Sequence, residues 1–293
     1  KKRRPPKFAR TSHLTKTQPD QLVARLKARG LNFHQADLEH ALKRIGYFRL
    51  LIYMRPFQNS AKQFHSGTTF NQIMSLYEFD RKLKFICMEA IERVEVALRV
   101  AVTESLGTEL GSHFHCVPAN FYQQYGFERF WKKADEADSV AITHYQRRYT
   151  IPPHPPVWVL LEAVTIGTLS KFFADLTVSN RNKIAKKFSF SEKILVSWYR
   201  SLTVLRNNCA HHSRVWNSKF TVNTPIAPTL HVKKFRAMNS FHAQVTILYL
   251  LLHDIEPVSA DSWRDSLKAL FDKYSTVVDL TQMGFVEQDP FWS

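Results

Sequence analysis

The sequence predicts an all-α protein, and three observations favour that fold class. Apolar residues recur three and four positions apart over long stretches, which is the spacing of an amphipathic helix. Alternating apolar and polar residues, which indicate strands, are not found outside residues 47–57. Hydrophobic residues make up 44% and charged residues 23% of the 293 residues, a composition typical of a globular protein and not of a disordered chain.

The N-terminal part is predicted to combine a basic arm with short helices. Residues 1–16 carry seven bases and no acid and are expected to be flexible. Thr17 is a helix cap, and the helix that follows it ends before Gly30. A second helix is predicted over residues 36–45, before Gly46. Residues 47–57 are rich enough in aromatic and β-branched residues to form either a strand or a buried turn.

The remainder is predicted to be helical. A cap at Thr68 or Thr69 begins a stretch of about ten turns that reaches Leu106, as one helix or two. Residues 108–126 are irregular, and the prolines of residues 152–156 are a hard break. Further helices are predicted over residues 127–149, 157–176, 180–188, 191–216, 239–254 and 260–274. We therefore expect a basic arm with a small helical subdomain (1–67), followed by a helical domain (68–293).

The chain is strongly basic. Lysine and arginine number 41 against 25 aspartates and glutamates, which gives a net charge of +16. A basic surface of this size attracts a polyanion, and nucleic acid is the expected partner because no transmembrane or lipidation signal points to a membrane. The alternative is a surface that only keeps the protein soluble. The candidate RNA-binding residues are Lys1, Lys2, Arg3, Arg4, Lys7, Arg10, Arg49, Arg55 and Arg200.

The densest cluster of chemically able residues is Trp198–Asn217, WYRSLTVLRNNCAHHSRVWN. On a helical wheel, one line is apolar and predicted to be buried: Trp198, Leu202, Leu205, Cys209 and Trp216. The opposite line is polar and predicted to be exposed: Arg200, Thr203, Asn207, His211 and Arg214. His212 falls toward the apolar side, so we expect it to be a packed core residue and His211 to be the functional histidine.

Arginine and histidine together, without a carboxylate or a metal, suit RNA cleavage through the ribose 2′-hydroxyl. An imidazole transfers protons near neutral pH, and a guanidinium binds phosphate oxygens. On a straight helix Arg206 and His211 lie about 140° apart. Either the helix breaks between them, or Arg206 reaches round, or two chains share the site. A symmetric dimer would also supply a second histidine, so that one acts as acid and the other as base.

The sequence resembles a known family at this cluster. RNNCAHH fits the signature of the HEPN ribonuclease superfamily, in which an arginine and a polar residue are followed by three residues and a histidine. LRNNCAHHSRVWN is similar to the Abi-like (abortive infection, AbiD/AbiF type) branch. The similarity continues, in the same order, through IGYFRLLIYMRPF (45–57), TFNQIMSLYEFDRKL (69–83), AIERVEVALR (90–99) and PPVWVLLEAVTIGTLSKFF (155–173).

The resemblance implies a HEPN-like helical bundle and a metal-independent endoribonuclease of antiphage abortive infection or a toxin. It implies that Arg206 and His211 are catalytic and that two protomers form the cleft. Supporting roles are expected for Asn207, His212, Arg214, Glu95 and Arg99, with Glu92 on the same charged helix. Glu95 and Arg99 either brace the motif or form a solvated ion pair. A small structured RNA is an expected further partner.

Other chemistry is weaker. His113, His115 and Cys116 would need a further zinc ligand that the sequence does not mark. Cys209 lies on the apolar line, where a thiol is normally inert. The three cysteines are odd in number and far apart, so they make no disulfide framework, and a cytoplasmic location is expected. We expect no metal and no cofactor.

The main alternative function is a non-catalytic RNA-binding module of a defence or toxin–antitoxin system. Aromatic residues interleaved with Arg49 and Arg55 would then stack on single-stranded bases: Tyr47, Phe48, Tyr53 and Phe57. The plainer interpretation places these aromatics in the core of the N-terminal subdomain. A DNA-binding function has less support, because no helix shows base-reading side chains in a helix-turn-helix arrangement.

Overall fold

The computed structural model of the protein describes residues 19–292. Within these residues the fold is all-α, as predicted, and the β-pairings are three isolated bridges. No helix in the described range is long and apolar enough to cross a membrane. The helices are α1 (Pro19–Ala28), α2 (Gln35–Arg44), α3 (Tyr47–Met54), α4 (Phe70–Val102), α5 (Thr108–Leu110), α6 (Gln124–Asp135), α7 (Val140–Arg148), α8 (Val157–Ala163), α9 (Ile166–Asp175), α10 (Val178–Ala185), α11 (Glu192–Ala210), α12 (Phe241–Ile255) and α13 (Pro257–Lys273).

The chain divides into two compact units, residues 1–77 and residues 78–293. In the first unit, Leu26, Leu38 and Leu50 are fully buried and form a small core. Gly30 and Gly46 follow α1 and α2 with φ of +85° and +90°, a left-handed conformation that favours glycine. Both helices therefore end where the glycines predict. The expected basic arm and the Thr17 cap lie outside the described residues.

Residues 47–57 are helical, and the prediction of a strand or a buried turn is wrong. They form α3 and a 3₁₀ turn at Arg55–Phe57. The buried side chains of α3 are Leu50, Tyr53 and Met54, which are spaced by three and one. Phe48 and Arg49 are exposed. This spacing places the buried side chains on one face of a helix, whereas a strand would bury alternate residues.

The longest element, α4, is one uninterrupted helix. Thr69 begins it with a reciprocal cap: its hydroxyl accepts from the Gln72 N–H (3.3 Å), and the Gln72 side chain accepts from the Thr69 N–H (2.9 Å). The helix continues as a π-helical turn over Thr103–Gly107. The predicted cap at Thr69 is thus confirmed, and so is the one-helix form. The predicted end near Leu106 is wrong, because the run continues through α5 and ends at Leu110, before Gly111 with φ +87°.

Two segments predicted as single helices are each divided into two. Residues 127–149 contain a break because the Ser139 side chain begins α7 by accepting from the Ile142 N–H (3.2 Å). Residues 157–176 contain a break because Val164 is extended and the Thr165 hydroxyl caps α9. A short side chain that accepts a backbone hydrogen bond begins a new helix in both places.

In the second unit, α11 packs against α9, α10 and α12. Trp198 and Tyr199 of α11 are fully buried. The Tyr199 hydroxyl donates to the Val94 carbonyl of α4 (3.1 Å), and burial raises the pKa of this phenol. The helix that carries the sequence motif is therefore held firmly by the core.

Candidate active site

The motif helix ends before its two histidines. Helix α11 stops at Ala210, and His211 follows as the capping residue with φ −88° and ψ 14°. His212 has φ +56°, in the left-handed region that ends helices. The N–H groups of residues 211–213 donate back to carbonyls of the last turn. The prediction that this helix continues to residue 216 is wrong.

Arg206, Asn207 and His211 surround this helix end. Asn207 and His211 are exposed and Arg206 is half-buried. The Arg206 Nη1 atom lies 3.5 Å from the Asn207 side-chain oxygen. The His211 N–H still donates to the Asn207 carbonyl (2.9 Å), so His211 keeps its helical position and lies about 140° from Arg206 around the axis. The helix does not break between these two residues, which leaves a reach by the Arg206 side chain or a site shared by two chains. A guanidinium, an amide and an imidazole lie within one helical turn and its cap.

His212 is not a core residue, and that expectation is corrected. Its side chain is exposed, and its left-handed backbone directs the chain away from the helix axis. The helical wheel placed His212 toward the core because it assumed a helix that the structure ends at Ala210. The wheel position of Arg214 fails for the same reason, since Arg214 lies in the following loop.

The predicted buried line of α11 is confirmed. Its members are 5% exposed or less: Trp198, Leu202, Leu205 and Cys209. Trp216 is also buried, although it reaches the core from the loop. A hydrogen bond with Cys209, together with burial, raises the pKa of the Cys87 thiol well above its ordinary value. A buried Cys209 paired with another thiol matches the expected inert residue and not a nucleophile.

One buried carboxylate fixes the loop that carries His211. Asp80 of α4 is fully buried, and its Oδ1 accepts from the backbone N–H groups of Val215 (3.0 Å) and Trp216 (2.6 Å). Its Oδ2 pairs with Lys84 Nζ (2.9 Å), which also donates to the Ser213 carbonyl (3.2 Å). We refer to Asp80 and Lys84 as the loop clamp. The clamp supplies hydrogen-bond partners outside α11 to backbone groups of residues 213–216. These groups therefore do not need the hydrogen bonds of a continued helix, and α11 ends early.

Sequence reasoning missed Asp80, although a signal for it was present. Asp80 lies in register with the buried residues Ile73, Leu76, Leu83 and Cys87 of α4. An acid in a buried register requires partners, because an unpaired buried charge is costly. That position marks a structural carboxylate, but the sequence does not show which backbone groups it binds.

Arg214, an expected supporting residue, lies against this loop. It is half-buried, its Nη2 donates to the Asn217 carbonyl (3.3 Å), and its guanidinium lies 5.7 Å from the centre of the Trp216 ring. A cation above an aromatic face is attracted to it. These contacts stabilise the turn after His211.

Glu95 and Arg99 form an ion pair in which Arg99 is buried and Glu95 is half-buried, so the expectation of a solvated pair is wrong. The Arg99 guanidinium also donates to the carbonyls of Leu161 and Val164, both at 2.9 Å. These carbonyls lie at the C-terminal end of α8, where orphan acceptors need donors. The pair therefore braces α8, while Glu92 is exposed.

The candidate RNA-binding residues are only partly within the described residues. Arg49, Arg55 and Arg200 are exposed, whereas the six bases of the arm, Lys1 to Arg10, lie outside the described residues. Phe48 is 80% exposed, but Tyr53 is buried against Tyr77. The aromatic segment therefore contributes to both core and surface.

The histidines of residues 113–116 do not make a metal site. Among the described residues, no group of three or more metal-ligating side chains is suitably placed. His115 is fully buried, and this burial lowers its pKa to about 3. It stacks near Trp131, so it is a neutral core residue.

The sequence matches a known protein family over a range that includes the motif helix. No curated protein and no solved structure matches the chain. The family model described as Abi-like protein matches residues 40–217. That range covers well over half of the 293 residues and includes α3, α4, the loop clamp and the whole of α11. The chain belongs to the Abi-like protein family.

Proposed function

We propose that this protein is a metal-independent endoribonuclease of the HEPN type that acts in abortive infection. Membership of the Abi-like family supports a role in abortive infection. The observation that carries the nuclease proposal is the grouping of the exposed Asn207 and His211 with the half-buried Arg206 at the end of a buried helix. Functional groups on a rigid element hold their geometry well, and α11 is such an element.

In the proposed reaction, His211 is the proton-transfer group and Arg206 binds the phosphate. The ribose 2′-oxygen loses its proton to a base and attacks the phosphorus, which forms a 2′,3′-cyclic phosphate. The bond from phosphorus to the 5′-oxygen breaks, and an acid returns a proton to that oxygen. The Arg206 guanidinium stabilises the additional negative charge on the phosphoryl oxygens. Asn207, next to Arg206, orients it.

The proposal includes a homodimer. The reaction needs both a base and an acid, while one copy presents one histidine of the motif. A two-fold symmetric pair brings two copies of His211 to one cleft. A small RNA partner that restrains the nuclease is proposed on the family resemblance and on the net charge of +16.

The second candidate function is RNA binding without cleavage, and one observation favours it. Phe48 is 80% exposed and is followed by the exposed Arg49. An aromatic ring and a guanidinium on a surface stack on single-stranded bases. This surface does not require His211.

Two variants and two controls separate these functions. His211→Ala and Arg206→Ala should each reduce RNA cleavage by at least a hundredfold, the range of a lost acid–base or electrostatic group. His211→Ala should leave RNA affinity within about threefold, since it removes no permanent charge. The controls are His144→Ala and Arg147→Ala, which alter exposed residues of α7.

The outcomes are distinct. Loss of cleavage in both motif variants, with normal cleavage in both controls, supports the nuclease. If the wild type binds RNA but never cuts it, or if His211→Ala cuts it as fast as His144→Ala, the nuclease proposal fails. The first of these two outcomes supports the binding function, and the second shows that cleavage does not depend on His211.

A further inference from the structure

Helix α11 opens to solvent along one narrow line. The exposed residues of this helix are Lys193, Arg200 and Asn207, and all other positions are buried or half-buried. The three are seven residues apart, so each step turns only about 20° around the axis. The exposed His211 follows Asn207 by one turn. We call these four residues the α11 strip.

The two cations of the α11 strip have no side-chain partners among the described residues. Within residues 19–292, neither Lys193 nor Arg200 forms an ion pair or a side-chain hydrogen bond. The acid of this helix, Glu192, is buried and accepts from Arg181 (2.7 Å). No acid follows in the sequence from residue 193 to residue 253. The two cations are therefore available to an anionic ligand.

The dimensions of the α11 strip suit one nucleic-acid backbone. At 1.5 Å per residue, Lys193 and Asn207 are about 21 Å apart along the axis, which equals about six stacked nucleotides of one strand. A single line of charges contacts one backbone and not the two of a duplex. The line also ends at His211.

We infer that the α11 strip binds the backbone of single-stranded RNA on one side of the bond that reaches His211. Lys193 and Arg200 contact phosphates several nucleotides away from that bond, and Asn207 contacts the strand beside it. This inference deepens the proposed function and rests on it for the choice of RNA as the ligand. It adds Lys193 to the RNA-binding residues. It also predicts that the bound RNA segment is about six nucleotides long and ends at His211.

The test measures RNA binding as a function of salt concentration. The protein carries His211→Ala so that the RNA stays intact, and the ligand is a single strand of about twelve nucleotides, twice the length of the strip. Each phosphate contact contributes about 0.7 to the slope of log affinity against log salt for a single strand. Lys193→Ala and Arg200→Ala should each lower the slope by about 0.7, and the double variant should lower it by about 1.4.

The matched controls are Lys268→Ala on α13 and Arg147→Ala on α7, which remove exposed bases from other helices. Their slopes should equal that of the parent protein. Strip variants that match the controls would overturn the inference. Equal slope changes with a duplex of the same sequence would overturn its single-strand part.

This test is independent of cleavage. If the strip variants alter the salt slope while the wild type cuts no RNA, the proposed nuclease fails and the binding strip stands. If the wild type cuts RNA while the strip variants bind like the controls, the nuclease stands and the strip fails.

Discussion

Removing the carboxylate of the loop clamp should destabilise the protein severely. Asp80→Ala leaves the buried N–H groups of Val215 and Trp216 without their acceptor, and leaves the largely buried Lys84 without its ion pair. An unsatisfied buried donor costs about 1–3 kcal/mol, and breaking one side of a buried ion pair costs about 3–5 kcal/mol. Because these losses overlap, we expect the free energy of unfolding to fall by about 4 kcal/mol.

Urea unfolding of wild type, Asp80→Ala and Asp80→Asn checks this expectation. The asparagine keeps an acceptor oxygen but loses the charge, so its loss should be about half that of the alanine variant. Asp265→Ala, which removes an exposed acid of α13, should change stability by less than about 0.5 kcal/mol. If Asp80→Ala is as stable as Asp265→Ala, the loop that carries His211 is not held by the clamp.

Three further predictions follow from other groups. Glu95→Ala leaves the buried Arg99 unpaired and should lower the free energy of unfolding by about 3 kcal/mol, measured in urea; a loss below about 1 kcal/mol would contradict this. Burial lowers the pKa of His115 to about 3, so the folded protein holds this imidazole neutral while the unfolded chain protonates it below pH 6.5. The stability that the neutral His115 contributes is therefore complete above pH 6.5 and is lost as the pH falls toward 3. Between pH 7 and pH 5 the wild type should therefore lose about 2 kcal/mol more than His115→Phe, and parallel pH curves would refute the assignment. EDTA should leave the RNA cleavage rate unchanged, and a strict requirement for a divalent ion would rule out the proposed mechanism.

The sequence predicted the helical fold and the buried side of α11 because both depend on periodicity alone. Leu202, Leu205 and Cys209 are buried as the wheel requires. Gly30, Gly46 and Thr69 mark helix ends through local backbone and capping effects, which neighbouring residues determine.

The sequence did not predict the end of α11, because that end depends on a distant residue. Asp80 is more than 130 positions away along the chain and binds the backbone of Val215 and Trp216. No local signal such as glycine marks Ala210 as the last helical residue, so the helix was predicted to continue to residue 216. His212 was misplaced for this reason alone, and the burial of Arg99 depended on carbonyls of α8.

The chemistry of the RNA ends produced by the protein tests the central claim most directly. A reaction through the ribose 2′-hydroxyl, with His211 moving the proton, predicts 2′,3′-cyclic phosphate and 5′-hydroxyl ends from the wild type and no cut ends from His211→Ala. Ends that carry a 3′-hydroxyl and a 5′-phosphate, or the same ends in equal amounts from His211→Ala, would contradict the account.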